Sequence, residues 1–368
     1  MSNRYFYLLF FLCAPCVVLS LPDQLDRKKA VAEEKLRGEE NFAFVGEVLY
    51  LTSSLTNTFS DEIFLLNSLE HTLKVFNQEA RSVTPGYDFG YSLAFHYRAA
   101  PSRTDLELKY GYIHNSGTDH FIRDVTDENH GIRQRNMQND RGHLHAHLHI
   151  FDFLVGHNFP FYQYLLLKFF GGLTVNDFHY FFTFENQDQI ISTSIETGEN
   201  VGSTMAHIFS KRKFRFCGWG PKVGIHFGYH FFPSYQRHEF SLYSSFQFSI
   251  LFARKWGKGG YSGQVVAPQS IMGPVIEVLP LSWRDELKAR IVPHMHLDFS
   301  ARYRYYFANA VSISLTAGFR ALAYWDLDEV NRAINYNLET LASIPPRAES
   351  DIDSMIFSGP YLSISVAF

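Results

Sequence analysis

The sequence predicts an all-β protein: a transmembrane antiparallel up-and-down β-barrel of about ten strands, twelve or more being allowed. Short turns join the strands at one end and long loops carrying short helices at the other. Three observations lead there. Phe, Tyr and Trp make up 17% of the chain, with 36 Phe and 21 Tyr, yet no run beyond the N-terminus is long and apolar enough for a membrane helix. Segment after segment alternates apolar with polar or small residues at period two, which is how a barrel strand shows one face to lipid and the other to the lumen. The chain closes on GPYLSISVAF, an amphipathic strand that stops on Phe368.

The N-terminus reads MSNRYFYLLFFLCAPCVVLSLPDQ. Arg4 supplies a charged start, 5–19 an apolar run too short to span a bilayer, and Val18 and Ser20 the small-residue pattern before a cleavage point at Leu21. Residues 1–20 are therefore expected to be a Sec-type signal peptide. Cleavage would remove Cys13 and Cys16 and leave Cys217 alone, so no internal disulfide is expected. Residues 21–40 are charged, with Lys29, Glu33 and Arg37 spaced to pair on a helix, and read as a periplasmic lead-in. The barrel is expected over 41–368.

Ten segments alternate. Phe42, Phe44, Val48 and Tyr50 oppose Glu47 in the first. Tyr87 to Tyr97 oppose Asp88 to Arg98 in the second. Leu106, Leu108, Tyr110 and Tyr112 oppose Asp105, Glu107 and Lys109 in the third. In 143–157 the four residues His143, His145, His147 and His149 oppose Leu144, Ala146, Leu148 and Ile150. Phe151, Phe153 and Val155 then take the lipid face if a β-bulge falls near Ile150–Phe151. Segments 162–174, 219–231, 239–253, 294–307, 311–324 and the C-terminal strand follow. Short gaps (99–102, 159–161, 232–236, 308–309) alternate strictly with long ones (53–85, 116–141, 187–203, 255–290, 327–353). That pattern puts short turns in the periplasm, long loops outside and both termini periplasmic. In the loops, Leu66, Leu69, Leu73 and Phe76, and again Leu327, Val330, Ile334, Leu338 and Leu341, recur at helical spacing.

Leu362, Ile364, Val366 and Phe368 share the lipid face of the last strand. They form the pattern expected of a signal read by the barrel-assembly machinery, and the last strand must close on the first because an open edge in lipid is costly. The predicted lumen carries Glu47, His96, His143, His145, His147, His149, Asp152, Lys168, Lys222, His226, His230, Glu239, His294, His296, Asp298, Arg302, Arg304 and Arg320. Opposed rows of charge suit an ion filter, or else neutralise one another. Protonation of the histidines in acid would favour anions. Alternate histidines on a strand can hold zinc or copper as a pair, but four span about 20 Å along the strand, so one ion cannot use all of them; a polar lumen lining is the preferred reading, and no metal or other cofactor is expected. Lys211, Arg212 and Lys213 of SKRKFRF lie where outer-leaflet lipid phosphates could be held. Net charge is −4, which gives no drive toward nucleic acid.

The stretches PGYDFGYSLAFHYRAAPSRTDLELKYGYIHNSG, HIFDFLVGHNFPFYQYLLLKFFGGL and FCGWGPKVGIHF resemble strands of the Legionella-type major outer membrane protein family, a pore-forming group compared with chlamydial major porins. Trp219 between Gly218 and Gly220, and Leu154 where an acidic lumen residue is common, depart from that pattern. The resemblance implies an outer-membrane pore for small solutes and no catalytic residues. The expected function is passive diffusion of small hydrophilic solutes or ions, with outer-membrane lipid as partner and a homo-oligomer allowed. The alternative is a structural or adhesive surface protein with a plugged barrel. A barrel protease built on His294, His296, Asp298 and Asp152 is a third reading.

Overall fold

The computed structural model describes residues 42–55, 62–66, 72–77, 86–99, 104–129, 132–162, 164–198, 200–231, 237–266, 276–307, 311–325, 329–332, 334–337, 342–344, 348–351 and 354–368. The expected signal peptide (1–20), the charged segment (21–40) and most of the short turns lie outside these residues.

Ten strands form a closed barrel: β1 (Phe42–Leu55), β2 (Asp88–Ala99), β3 (Thr104–Asn129), β4 (Ile132–Tyr162), β5 (Leu165–Ser194), β6 (Asn200–Phe231), β7 (His238–Val266), β8 (Ile276–Tyr306), β9 (Ser312–Tyr324) and β10 (Met355–Ala367). They follow one another around the wall in chain order, each antiparallel to its neighbours, and β10 closes on β1. The seam is complete to the last residue. The Phe42 N–H donates to the Phe368 carbonyl at 3.0 Å, and the Phe368 N–H donates back to the Phe42 carbonyl at 2.9 Å. Closure leaves no unpaired edge within the belt that meets lipid.

The belt is visible as a ring of exposed apolar side chains: Phe44 on β1, Leu93 on β2, Phe153 on β4, Trp219 on β6, Phe299 on β8 and Ile364 on β10. An apolar surface of this extent wants hydrocarbon rather than water. Leu362, Ile364, Val366 and Phe368 belong to it. Where strands pass closest the wall uses glycine. A Cβ on Gly220 would run into the Ile250 carbonyl oxygen, and one on Gly172 into that of Phe153.

Two loop expectations are corrected. The gaps 116–141, 187–203 and 255–290 are largely strand. β3 and β4 pair as far as Asn129–Ile132, β5 and β6 to Thr193–Asn200, and β7 and β8 to Val265–Ile276. These six strands run 26 to 32 residues, against 12 to 14 for the other four. The difference projects three hairpins on the order of 50 Å past the belt at about 3.3 Å per residue. The helical stretches are also strands: Glu62–Leu66 pairs antiparallel with Thr72–Asn77 and parallel with Ile334–Asn337. Leu65 meets Leu73 and Ile63 meets Phe76 across that hairpin. Leu69, Leu327, Leu338 and Leu341 lie outside the described residues; Leu66, Leu73, Phe76, Val330 and Ile334 sit in strand ladders instead of along a helix. An isolated helix of that length is marginal, so pairing prevails.

Candidate functional site: the barrel interior

On strand after strand the inward face changes character at one level. Toward the short-turn end it is polar. Toward the hairpin end it is apolar. On β1 Glu47 gives way to Leu49 and Leu51, on β5 Asn176 to Phe178, on β7 Ser249 to Leu251, on β8 His294 to Val292, and on β9 Arg320 to Leu322. All of these side chains are buried.

The polar level is knit by ion pairs that cross between strands. Arg320 holds Glu47 (2.7 and 3.1 Å) and Asp298 (3.0 Å), Lys109 reaches Glu47 at 2.9 Å, and Ser92 donates to the same carboxylate. The Tyr361 hydroxyl donates to Asp298 at 2.7 Å, and the Arg320 guanidinium lies 4.4 Å from the Tyr361 ring. Lys222 on β6 reaches past β5 to Asp152 on β4 at 2.7 Å, with 1% and 5% of the two side chains exposed. Nearer the short turns, Lys168 and Arg98 hold Asp105, and His230, Ser241 and Tyr306 surround Glu239. Charges this deep persist because each is paired; a lone one would be expelled or neutralised. Asn176 and the Nε2 atoms of His294 and His296 face this level without a protein partner among the described residues.

The apolar level fills the bore. Phe178 on β5 meets Phe357 on β10 with ring centroids 6.2 Å apart. β5 and β10 stand five places apart in a ring of ten, so this contact crosses the full diameter. Phe216 on β6 meets Tyr324 on β9 at 6.4 Å, and Tyr324 meets Phe357 at 6.5 Å. Leu144, Ala146, Leu148, Leu251 and Met355 close the gaps, each no more than 2% exposed. A ten-stranded bore is narrow enough for side chains to fill it.

The expected lumen residues fall into two groups. Glu47, His96, Asp152, Lys168, Lys222, His226, His230, Glu239, His294, His296, Asp298, Arg302, Arg304 and Arg320 lie on the inward face. Their opposite charges pair off rather than standing in facing rows. His143, His145, His147 and His149 are corrected: they face outward. No bulge falls at Ile150–Phe151, and the register of β4 with β3 and β5 runs through that point unbroken. The histidines therefore continue the outward face of Phe151 and Phe153, and Leu144, Ala146 and Leu148 point into the bore. Outside, the His147 and His114 rings stack at 4.7 Å, Tyr112 bonds His147 at 3.0 Å, and Tyr110 bonds His149 at 2.9 Å. His294 and His296 lie beneath the apolar layer, while Asp298 and Asp152 are held by Arg320 and Lys222. These four make no constellation at the rim.

Lys211 and Lys213 are exposed on the outward face of β6; the side chain of Arg212 lies outside those described. Sequence reasoning missed the apolar layer itself. Its signal was present in β5, where the apolar residues move from odd positions (Phe169, Leu173, Val175) to even ones (Phe178, Tyr180, Phe182).

A model of the family described as Legionella pneumophila major outer membrane protein precursor matches residues 37–368. None of the curated proteins matches the chain. Among solved structures, the outer membrane protease OmpT from Escherichia coli aligns at 11% identity over 90% of this chain and 98% of its own, with a TM-score of 0.42. The toluene transporter TodX from Pseudomonas putida aligns at 10% over 90% and 91%, with a TM-score of 0.21. A FadL homologue from Pseudomonas aeruginosa aligns at 6% over 89% and 90%, with a TM-score of 0.23.

Proposed function

The chain belongs to the Legionella major outer membrane protein family and is an outer-membrane β-barrel, and from that premise we propose that it works at the cell surface as a structural or adhesive protein. In this reading the barrel is a closed anchor. The three long hairpins stand outward, and the short turns and both termini are periplasmic. Export is through the signal peptide, and the assembly machinery reads Leu362, Ile364, Val366 and Phe368. The chain carries out no catalysis.

The observation that carries the reading is the contact of Phe178 with Phe357 across the bore, within a layer of buried apolar side chains. Small hydrophilic solutes would have to shed water to cross it. Passive diffusion of such solutes is the second reading. One observation favours it: the polar level beneath, where Lys109 and Lys168 keep 16% and 15% of their side chains exposed. That level would be the inner mouth of a pore whenever the aromatic layer parts.

Swelling of proteoliposomes in an iso-osmotic small sugar tests the choice. The anchor reading expects the rate of empty vesicles. Replacing 119–139 by a short turn should then abolish surface attachment of intact cells and leave swelling unchanged. Swelling above that of empty vesicles moves the function to the pore.

A further inference from the structure

Just past the lipid belt, the outward face of β6 and β7 turns strongly basic. On β6 the outward positions run Val223, Trp219, Cys217, Arg215, Lys213, Lys211. On β7 they run Phe252, Arg254, Trp256, Lys258. The register sets Cys217 beside Arg254, Arg215 beside Trp256 and Lys213 beside Lys258, one residue pair above Trp219 beside Phe252. Five cations thus occupy two adjacent strands directly against the apolar belt. The acids on the same face of β5 are Asp177 and Glu185. Asp177 is engaged by Arg215 at 3.0 and 2.9 Å, and Glu185 by His207 at 2.8 Å. Lys213 and Lys211 lie over the Phe181 and Phe209 rings, at 4.9 to 5.2 Å, which fixes their stems against the wall.

Like charges placed directly opposite on neighbouring strands repel. Lys213 against Lys258 is such a pair, and an anion between them removes the penalty. The anion available at the edge of a hydrocarbon belt is a lipid phosphate. Trp256 beside Arg215 is the amphipathic type that settles at that level.

We propose that Arg254, Lys213 and Lys258 form a binding site for the phosphate groups of outer-leaflet lipid, with Arg215 neutralising Asp177 beside it. The site relies on the hairpins pointing outward, as above, but not on whether the lumen conducts. It extends the Lys211–Lys213 stretch, because the second strand supplies Arg254 and Lys258 beside Cys217 and Lys213.

The test is titration of the refolded full chain, in neutral detergent, with bisphosphorylated lipid A, reading bound phosphate after gel filtration. The triple variant Lys213→Gln, Arg254→Gln, Lys258→Gln should bind on the order of 100-fold more weakly, each cation near a lipid surface being worth about fivefold. Lys213→Arg with Lys258→Arg should bind as the parent does. Lys213→Gln alone, about fivefold weaker, keeps the test open if the triple variant does not refold. Unchanged affinity in a folded triple variant overturns the proposal. So does equal competition by the same concentration of inorganic phosphate, which would assign the patch to a soluble anion.

Discussion

β4 contains two regions that obey opposite rules. From Phe151 toward the short turns, outward residues are apolar (Phe151, Phe153, Val155) and the inward ones include the polar Asp152 and Asn158, with Leu154 the apolar exception. From His149 toward the hairpin tip, outward residues are histidines and inward ones Leu148, Ala146 and Leu144. The backbone alternates without a break through both. What changes is the medium outside the wall. Against hydrocarbon the apolar face points out and polar groups retreat inward to pair. Past the belt the wall meets water, so the apolar face turns in and packs, as in a soluble barrel. The inversion also closes the lumen, because the inward apolar side chains of nine strands meet at its centre.

The largest effect belongs to the polar level within the belt. Lys222→Ala leaves Asp152 buried without its cation, which costs about 3–5 kcal/mol; a urea unfolding midpoint in vesicles that barely moves would mean the pair is hydrated. Next comes the adjacent pair at the inversion. Leu144→Ala should destabilise by about 2–5 kcal/mol through the cavity it leaves, and His143→Ala by no more than about 0.5 kcal/mol. Were the two costs reversed in the same unfolding assay, the strand would face the other way and the histidines would line the bore.

The smallest effect lies at the far end of the hairpins. There Asp124 on β3 is held by Arg135 on β4 at 2.5 Å, both side chains largely in water. Hydrogen bonding to that guanidinium holds the Asp124 carboxyl below its usual range. Its contribution is therefore present above the ordinary carboxylate pKa and is lost as pH falls through the lowered folded value. Following Asp124 by NMR, the midpoint should rise toward the ordinary value in Arg135→Gln. No movement would sink the pairing.

Much of the belt was legible because lipid imposes one rule on it. Glu47, Lys222 and Arg320 were readable as inward residues, and Leu362 to Phe368 as outward ones, from alternation alone. The same rule misled beyond the belt. Keeping the histidines polar-side-in required a bulge that does not exist, since the rule had been carried past the lipid that causes it. The hairpin extensions were unreadable as strands because stretches such as Asp119–Asp127 and Arg133–Arg141 carry polar residues at odd and even positions alike, so no alternation marks them. The short helices failed for another reason. Helical spacing was read at Leu73 and Phe76, whose partners in the hairpin, Leu65 and Ile63, stand eight and thirteen residues away. Cross-lumen contacts such as Phe178 with Phe357 join positions far apart in sequence, and no local pattern encodes them.

Single-channel conductance in a planar bilayer tests the closed lumen most directly, with the folded parent run beside Phe178→Gly, Phe357→Gly. The account predicts a silent parent and salt-dependent current steps from the variant, whose apolar layer is opened across its diameter. Steps of the same size from the parent would contradict it and show that the aromatic layer does not block the bore.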